Sequence, residues 1–331
     1  MAALYQTRII LNIMSEFSLL LTRAWLCTVP PSRAFGLLLI GALLGCAQVP
    51  QGPSGQPPST SGVQMQPDPP KRPPRVGLAL GGGAARGFAH VGVIQVLEEA
   101  GIRPDLVVGT SAGSLVAAIY ASGKTAVQLR QISEAMDEAA LTDWTLPIFS
   151  RGMLRGEALA RYVGAQVGGR SIEQMALPLG IVATDLRSGQ GVLFQRGDTG
   201  LAVRASSSVP GVFQPVKIGE QEFVDGGLVS PVPVRFARQM GAELVIAVDI
   251  SSPPENGRTG DVFQVLLQTF AIMGASINSF ELKDAEVLVR PQLAGTASAD
   301  FAARKRSIDA GRAAMLQAMP LLRQKMASMQ R

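Results

Sequence analysis

Two segments of this chain repeat one arrangement: an unbroken apolar run, a glycine-rich turn, then a stretch of helical spacing. Arg75–Leu80 (RVGLAL) leads through Gly81–Gly87 (GGGAARG) into Phe88–Ala100, and Asp105–Gly109 (DLVVG) leads through Gly109-Thr110-Ser111-Ala112-Gly113 into Ser111–Tyr120. An apolar run without polar alternation reads as a strand buried on both faces, as parallel sheets require. The pattern predicts further strands at Leu179–Thr184, Gly191–Gln195, Glu222–Val224, Glu243–Ile250 and Glu286–Arg290. It predicts helices over 125–139, 157–167, 235–240, 262–280 and 302–329. Strands and helices that alternate through short connections predict an α/β class chain, with a mostly parallel sheet covered by helices on both faces. With 331 residues, 47% of them hydrophobic, one sizeable core can be filled. The apolar run Val262–Met273 is expected to belong to that core, with contact to a membrane as the alternative. The basic positions Arg304, Lys305, Arg306 and Arg312 are expected on a solvated face, again with membrane contact as the alternative.

The N-terminus reads as an address. Phe35–Gly45 (FGLLLIGALLG) follows Arg33 and is too short to span a bilayer, which needs about 20 apolar residues. It fits the apolar region of a secretory signal peptide. It ends in Leu43-Leu44-Gly45-Cys46, which resembles the lipobox of bacterial lipoproteins. Residues 1–45 are therefore expected to be a signal peptide, with Cys46 lipidated. Residues 46–74 would be a Pro-, Gly- and Ser-rich tether without a packed core. Residues 75–331 would form the folded domain. Ala47, where an aspartate would direct inner-membrane retention, places the expected anchor on the periplasmic face of the outer membrane in a Gram-negative cell.

Composition removes several functions. The two cysteines, Cys27 and Cys46, both precede the domain, so it has neither a thiolate zinc site nor a disulfide. No metal or cofactor is expected. Basic clusters with interleaved aromatics are missing, which argues against a nucleic-acid partner. The net charge of +5 suits anionic lipid or plain solubility equally. Oligomeric state has no signature.

Between a strand and a helix, G-x-S-x-G puts a serine hydroxyl above the sheet edge, and Gly109 and Gly113 permit close strand–helix approach. The alternative is Ser111 as an ordinary helix N-cap. The first glycine loop lacks the Gly-Lys-Ser/Thr of a P-loop and the spacing of a dinucleotide fingerprint. As an oxyanion hole, the backbone N–H groups of Gly82, Gly83 and Ala84 would face developing negative charge. Arg86 and Gly87 would support that loop, or Arg86 would attract a phosphate. An activated serine needs a base. The only histidine, His90, falls inside the first helix and reads as a packing residue. Asp225, in Phe223-Val224-Asp225-Gly226-Gly227, ends a strand at a glycine turn and is the leading candidate. Asp185 and Asp249 also end strands.

The glycine loop, G-T-S-A-G and Asp-Gly-Gly, in this order, resemble the patatin-like phospholipase family and its bacterial branch. So do Gly87–Val93 (GFAHVGV) and Arg204–Pro215 (RASSSVPGVFQP). The resemblance implies a three-layer α/β/α fold and a Ser-Asp dyad. Ser111 would be the nucleophile, Asp225 the base, and Gly82, Gly83 and Ala84 the oxyanion hole, where many relatives carry glycine at the position of Ala84. It implies hydrolysis of lipid acyl esters. Acyl transfer by the same residues, and an inactive lipid-binding lipoprotein, are the rival readings.

Overall fold

The structure is a computed structural model; it describes residues 72–137, 143, 152–254, 259–294 and 301–330. The expected signal peptide, Cys46 and nearly all of the tether lie outside the described residues. The strands are β1 (Val76–Leu80), β2 (Leu106–Thr110), β3 (Gly152–Leu154), β4 (Leu179–Asp185), β5 (Gly191–Phe194), β6 (Gly211–Phe213), β7 (Val216–Ile218), β8 (Gln221–Asp225), β9 (Leu244–Val248) and β10 (Val287–Val289). The helices are α1 (Phe88–Glu99), α2 (Ala112–Ala121), α3 (Ala126–Ala135), α4 (Glu157–Gln166), α5 (Thr199–Ser206), α6 (Val234–Gln239), α7 (Val262–Glu281) and α8 (Arg304–Ser328).

The main sheet runs β10-β9-β1-β2-β4-β8-β7, with β5 also paired to β4. From β10 to β4 every pairing is parallel; β5, β7 and β8 pair antiparallel. Buried on both faces, β1, β2 and β9 carry the unbroken apolar runs seen in the sequence. Alternate residues serve alternate layers. Leu78, Leu80, Ile246 and Val248 join one core cluster with side chains of α1, α2 and α8, while Ala79, Val108, Val245 and Ala247 join a second with Phe236 and Ala237 of α6. The result is the three-layer α/β/α arrangement.

β4 organises the site. Its residues 179–182 pair with β2 and its residues 183–185 with β8, while 181–184 pair with β5. A strand has two edges, so β5 takes one, and β2 and β8 share the other end to end. Thr110, the last residue of β2, lies opposite Val182; Asp225, the last of β8, lies opposite Ala183. Ser111 follows Thr110 at once. Two residues 114 positions apart in the chain are thereby brought to one junction.

Helices α1 and α8 cross at two glycines. A Cβ at Gly311 would overlap the Ala89 carbonyl, and one at Gly92 would overlap the Ile308 carbonyl. Arg312 adds a bidentate pair with Glu99 (2.6 and 2.9 Å), and Arg304 donates to Glu134 O at 2.6 Å. These two arginines fasten α8 rather than only solvating it. Helix α7 departs from expectation more strongly. Val262, Val265, Leu266, Ile272 and Met273 are exposed, so the Val262–Met273 run is not core. Composition reports that a helix is apolar but not which side meets the domain.

Gly311→Val is expected to destabilise the protein by about 2–3 kcal/mol through overpacking at the crossing. Urea unfolding measures it; an unchanged midpoint would show that the two helices can separate freely.

Candidate active site

Ser111 stands on the turn between β2 and α2, with φ 53° and ψ −126°. A non-glycine residue there is strained by about 1–3 kcal/mol and is held by its surroundings. Its N–H donates to Ser206 Oγ at 2.8 Å, and that hydroxyl donates to Val182 O at 2.6 Å. Its carbonyl accepts the Ser114 N–H at 2.8 Å and the Ser114 hydroxyl at 2.6 Å. The flanking glycines are compulsory: a Cβ at Gly113 would overlap Leu80 O, and one at Gly109 would overlap Gly113 O. The Ser111 hydroxyl therefore stands at the N-terminus of α2, where the helix dipole favours negative charge.

Asp225 is buried at the end of β8. Its backbone is fixed on both sides, since its N–H donates to Ser208 O at 2.9 Å and its carbonyl accepts the Thr184 hydroxyl at 2.8 Å. Oδ1 accepts the Gly227 N–H at 2.7 Å, while buried Oδ2 has no well-formed partner. Burial raises the carboxyl pKa from 3.8 to about 6, against opposing pulls from the Ser111 hydroxyl and the Gly227 N–H. The serine hydroxyl is thus near enough to act on the carboxylate without being aligned for a full hydrogen bond. Such bonds are commonly long before substrate binds. The other two carboxylates are engaged elsewhere. Asp185 caps a turn through Arg187 N, Ser188 N and the Ser188 hydroxyl, and the Ser188 N–H leads the contacts that hold its pKa down. Asp249 accepts from Ser251 and pairs with Arg290 at 3.1 Å.

The glycine loop lies against the serine: a Cβ at Gly82 would sit 3.0 Å from Ser111 Cβ and 3.8 Å from its Oγ. Its three amides are not equivalent. The Gly82 N–H already donates to Pro231 O at 2.9 Å, which corrects the expectation that it faces substrate. The N–H groups of Gly83 and Ala84 have no partner among the described residues. The Gly83 carbonyl accepts the Arg86 N–H at 3.2 Å and Arg86 Nε at 3.3 Å. In a trans peptide the N–H points opposite the carbonyl, so these contacts turn the Ala84 N–H outward. Arg86 also donates to the Ser252 hydroxyl. It is buried, and burial lowers its pKa against the pull of Asp249. These contacts make it a brace of the loop. Gly87 packs on Ala112, beside Ser111. Ala84 takes φ 50°, a conformation glycine adopts without strain.

Two contributors escaped the sequence reading. His90 Nε2 lies 2.8 Å from Gly81 O, and burial lowers its pKa to about 4, so a neutral imidazole donates to the loop. Ser206 comes from α5, an eight-residue helix with no clear apolar period, which opens on the Asp198 cap, whose carboxylate accepts the Leu201 N–H, and closes in the Arg204–Pro215 segment. Among the described residues no three His, Cys, Asp or Glu side chains are grouped to hold a metal.

Fold and site define an α/β/α protein with a serine elbow, a neighbouring buried carboxylate and two loop amides without partners among the described residues. The family model described as patatin-like phospholipase matches residues 78–238, so the chain carries a patatin-like phospholipase domain. An NTE family protein of Mycobacterium tuberculosis is 38% identical over 178 residues, 54% of this chain and 49% of that protein. Human patatin-like phospholipase domain-containing protein 6 is 36% identical over 189 residues, 54% of this chain and 14% of that protein. The chain thus spans about half the length of its mycobacterial relative and a smaller part of the human one. VipD from Legionella pneumophila shares the fold, with TM-score 0.50 and 15% identity, over 76% of this chain and 67% of that one.

The raised pKa has a stability consequence. Between pH 3.8 and about 6 the unfolded aspartate loses its proton while the folded one keeps it, so stability falls as pH rises through that window and then levels off. Asp225→Asn keeps an acceptor for Gly227 and removes the buried charge. It is expected to be about 2–3 kcal/mol more stable than the parent at pH 8 and nearly equal to it at pH 4. Urea midpoints at both pH values test this; a gap independent of pH refutes it.

Proposed function

We propose that this protein is a serine lipid acyl hydrolase of the phospholipase A, lysophospholipase or carboxylesterase type. The single observation that carries the reading is the meeting of Ser111, on a strained elbow, with a buried carboxylate whose pKa is about 6, beside two unpartnered loop amides. The family supports a lipid acyl ester as substrate.

In the first half-reaction Asp225 takes the Ser111 proton and Oγ attacks the ester carbonyl carbon. The carbonyl oxygen becomes an oxyanion facing the Gly83 and Ala84 amides; such a donor is worth about 3 kcal/mol in the transition state. The carbon–oxygen bond to the alcohol breaks, and the alcohol leaves with the proton from Asp225. In the second half-reaction water attacks the acyl-enzyme, Asp225 takes its proton, and the acid departs as Ser111 Oγ is reprotonated. No step needs a metal. An alcohol in place of water would give acyl transfer through the same residues, and product analysis with an added acceptor separates the two. The lipobox-like Cys46 supports a place at the cell envelope, where such esters are concentrated.

Ser111→Ala is expected to lower p-nitrophenyl acyl ester turnover by about 10⁴-fold or more with an unchanged urea midpoint. A fluorophosphonate probe should label the parent at Ser111 and leave the variant unlabelled. Because only ionised Asp225 can accept the proton, kcat/KM should climb as pH rises and reach half its plateau near pH 6. Full turnover by Ser111→Ala, or a flat profile between pH 5 and 8, would end the reading.

A further inference from the structure

Helix α7 is inside out. On its outer side Val262, Val265, Leu266, Ile272, Met273 and Phe280 are 88, 48, 37, 53, 45 and 69% exposed. Three of its polar side chains turn inward: Gln268 donates to Pro254 O at 2.6 Å, Asn278 is buried, and buried Glu281 accepts the Ser230 hydroxyl at 2.6 Å. An amphipathic helix on a protein surrounded by water does the reverse. The hydroxyls on the outer side also look inward, to the helix itself: Thr269 donates to Val265 O at 2.9 Å and Ser279 to Ser276 O at 2.7 Å. That is how hydroxyls are satisfied where no water is available. From Val262 to Phe280 no residue is charged.

The helix is fastened beside the candidate site. Gly274 packs on Pro231, whose carbonyl holds the Gly82 N–H. Glu281 holds Ser230, whose carbonyl accepts the Thr110 hydroxyl at 2.9 Å, one residue before the nucleophile. By length and composition Gln264–Asp284 could cross a bilayer. Its inner side, however, is bonded to Pro254, Ser230 and Arg235 of the domain, which leaves only one side free.

We propose that the outer face of α7 is a membrane-docking surface that lies in the bilayer interface among acyl chains and brings Ser111 to esters held there. The purpose assigned to the docking rests on the hydrolase reading above; the docking itself does not. The dimension of the face selects lipid over a second copy of the chain. Twenty residues of helix are about 30 Å long, and a stripe about 10 Å wide offers on the order of 300 Å², well under the roughly 800 Å² per partner of a stable protein interface. An interfacial helix needs only such a stripe, sunk about 5–10 Å. Lys283, whose ammonium lies 5.2 Å over the Phe280 ring, brings a charge beside the face; from Val262 to Phe280 there is none, so the binding should persist on zwitterionic phosphatidylcholine and at high salt.

The test uses the full chain with Cys46→Ala, so that no acyl anchor contributes, and Ser111→Ala, so that vesicles stay intact. Adding Ile272→Glu and Met273→Glu at these exposed positions should weaken co-sedimentation with phosphatidylcholine vesicles at least tenfold. A fluorophore sensitive to polarity, attached at Ser276→Cys in a background also carrying Cys27→Ser, should shift to the blue on vesicles, and the glutamate pair should abolish the shift. With Ser111 restored, the glutamate pair should leave p-nitrophenyl butyrate turnover within about twofold and lower hydrolysis of vesicle phospholipid at least tenfold. Circular dichroism that matches the parent shows that the pair folds. Equal partition of both proteins with no spectral shift overturns the proposal. So does a parent dimer in solution that the glutamate pair splits, because the face would then belong to a second copy. Vesicle binding that depends on α7 in a protein whose Ser111 form turns over no ester would overturn the hydrolase reading and leave the docking standing.

Discussion

The site depends on one edge of β4. β2 covers the first part of that edge and stops at Thr110; β8 covers the rest and stops at Asp225. Because the two strands meet end to end, the chain leaving β2 must turn away from the sheet at Ser111, and the chain arriving along β8 must deliver its last carboxylate there. Asp225 is placed directly, and Ser111 through its neighbour Thr110, by pairing with consecutive residues of a third strand, so the register that buries Val182 and Ala183 is the register that brings Ser111 to Asp225. A slip of one residue would turn the other side chain toward the site.

Around that junction, backbone polar groups are used selectively. The peptide between Gly81 and Gly82 is engaged at both ends, its carbonyl by His90 and its N–H by Pro231. The peptide between Gly83 and Ala84 is engaged at its carbonyl only, by Arg86. One loop thus combines a rigid base with a free donor, and the buried side chains His90 and Arg86 set the difference. Asp225 follows the same logic, with one oxygen held by Gly227 and the other left for a proton. Preorganised groups of this kind need little rearrangement as charge develops, and their fixation opposes the strain at Ser111 and Ala84.

Much of this was legible in the sequence because it follows from local chemistry. Strands buried on both faces read as unbroken apolar runs, so β1, β2, β4 and β9 fall within a residue or two of expectation. The Gly-rich loop, the elbow and the Asp-Gly-Gly turn carry their constraints in the glycines. What stayed hidden depends on contacts at a distance. β3, β6 and β7 are three residues each, too short to show a period. Ser206 is one of three consecutive serines, and nothing local singles out the one that reaches the Ser111 N–H. The loss of the Gly82 N–H to Pro231, 149 positions away, is a tertiary event. Helix α7 shows the same limit from the other side. Its apolar residues and its length were visible, but its inverted orientation is decided by where Glu281 and Gln268 find partners.

Ser230 and Pro231 join these parts. Through their carbonyls they hold Thr110 at the end of β2 and Gly82 in the loop; through the Ser230 hydroxyl and the Pro231 ring they hold Glu281 and Gly274 of α7. Burial raises the Glu281 pKa, and the Ser230 hydroxyl opposes that rise, so the contact favours the charged carboxylate. Ser230 and Pro231 thus connect α7 to the elbow and to the glycine loop without a path through the core. A displacement that strained the Ser230 contact would act on Thr110 first and Ser111 next, whereas one that strained Pro231 would act on Gly82. A helix with an exposed apolar side is thus tied at its inner side to the segment on which both halves of the candidate chemistry rest.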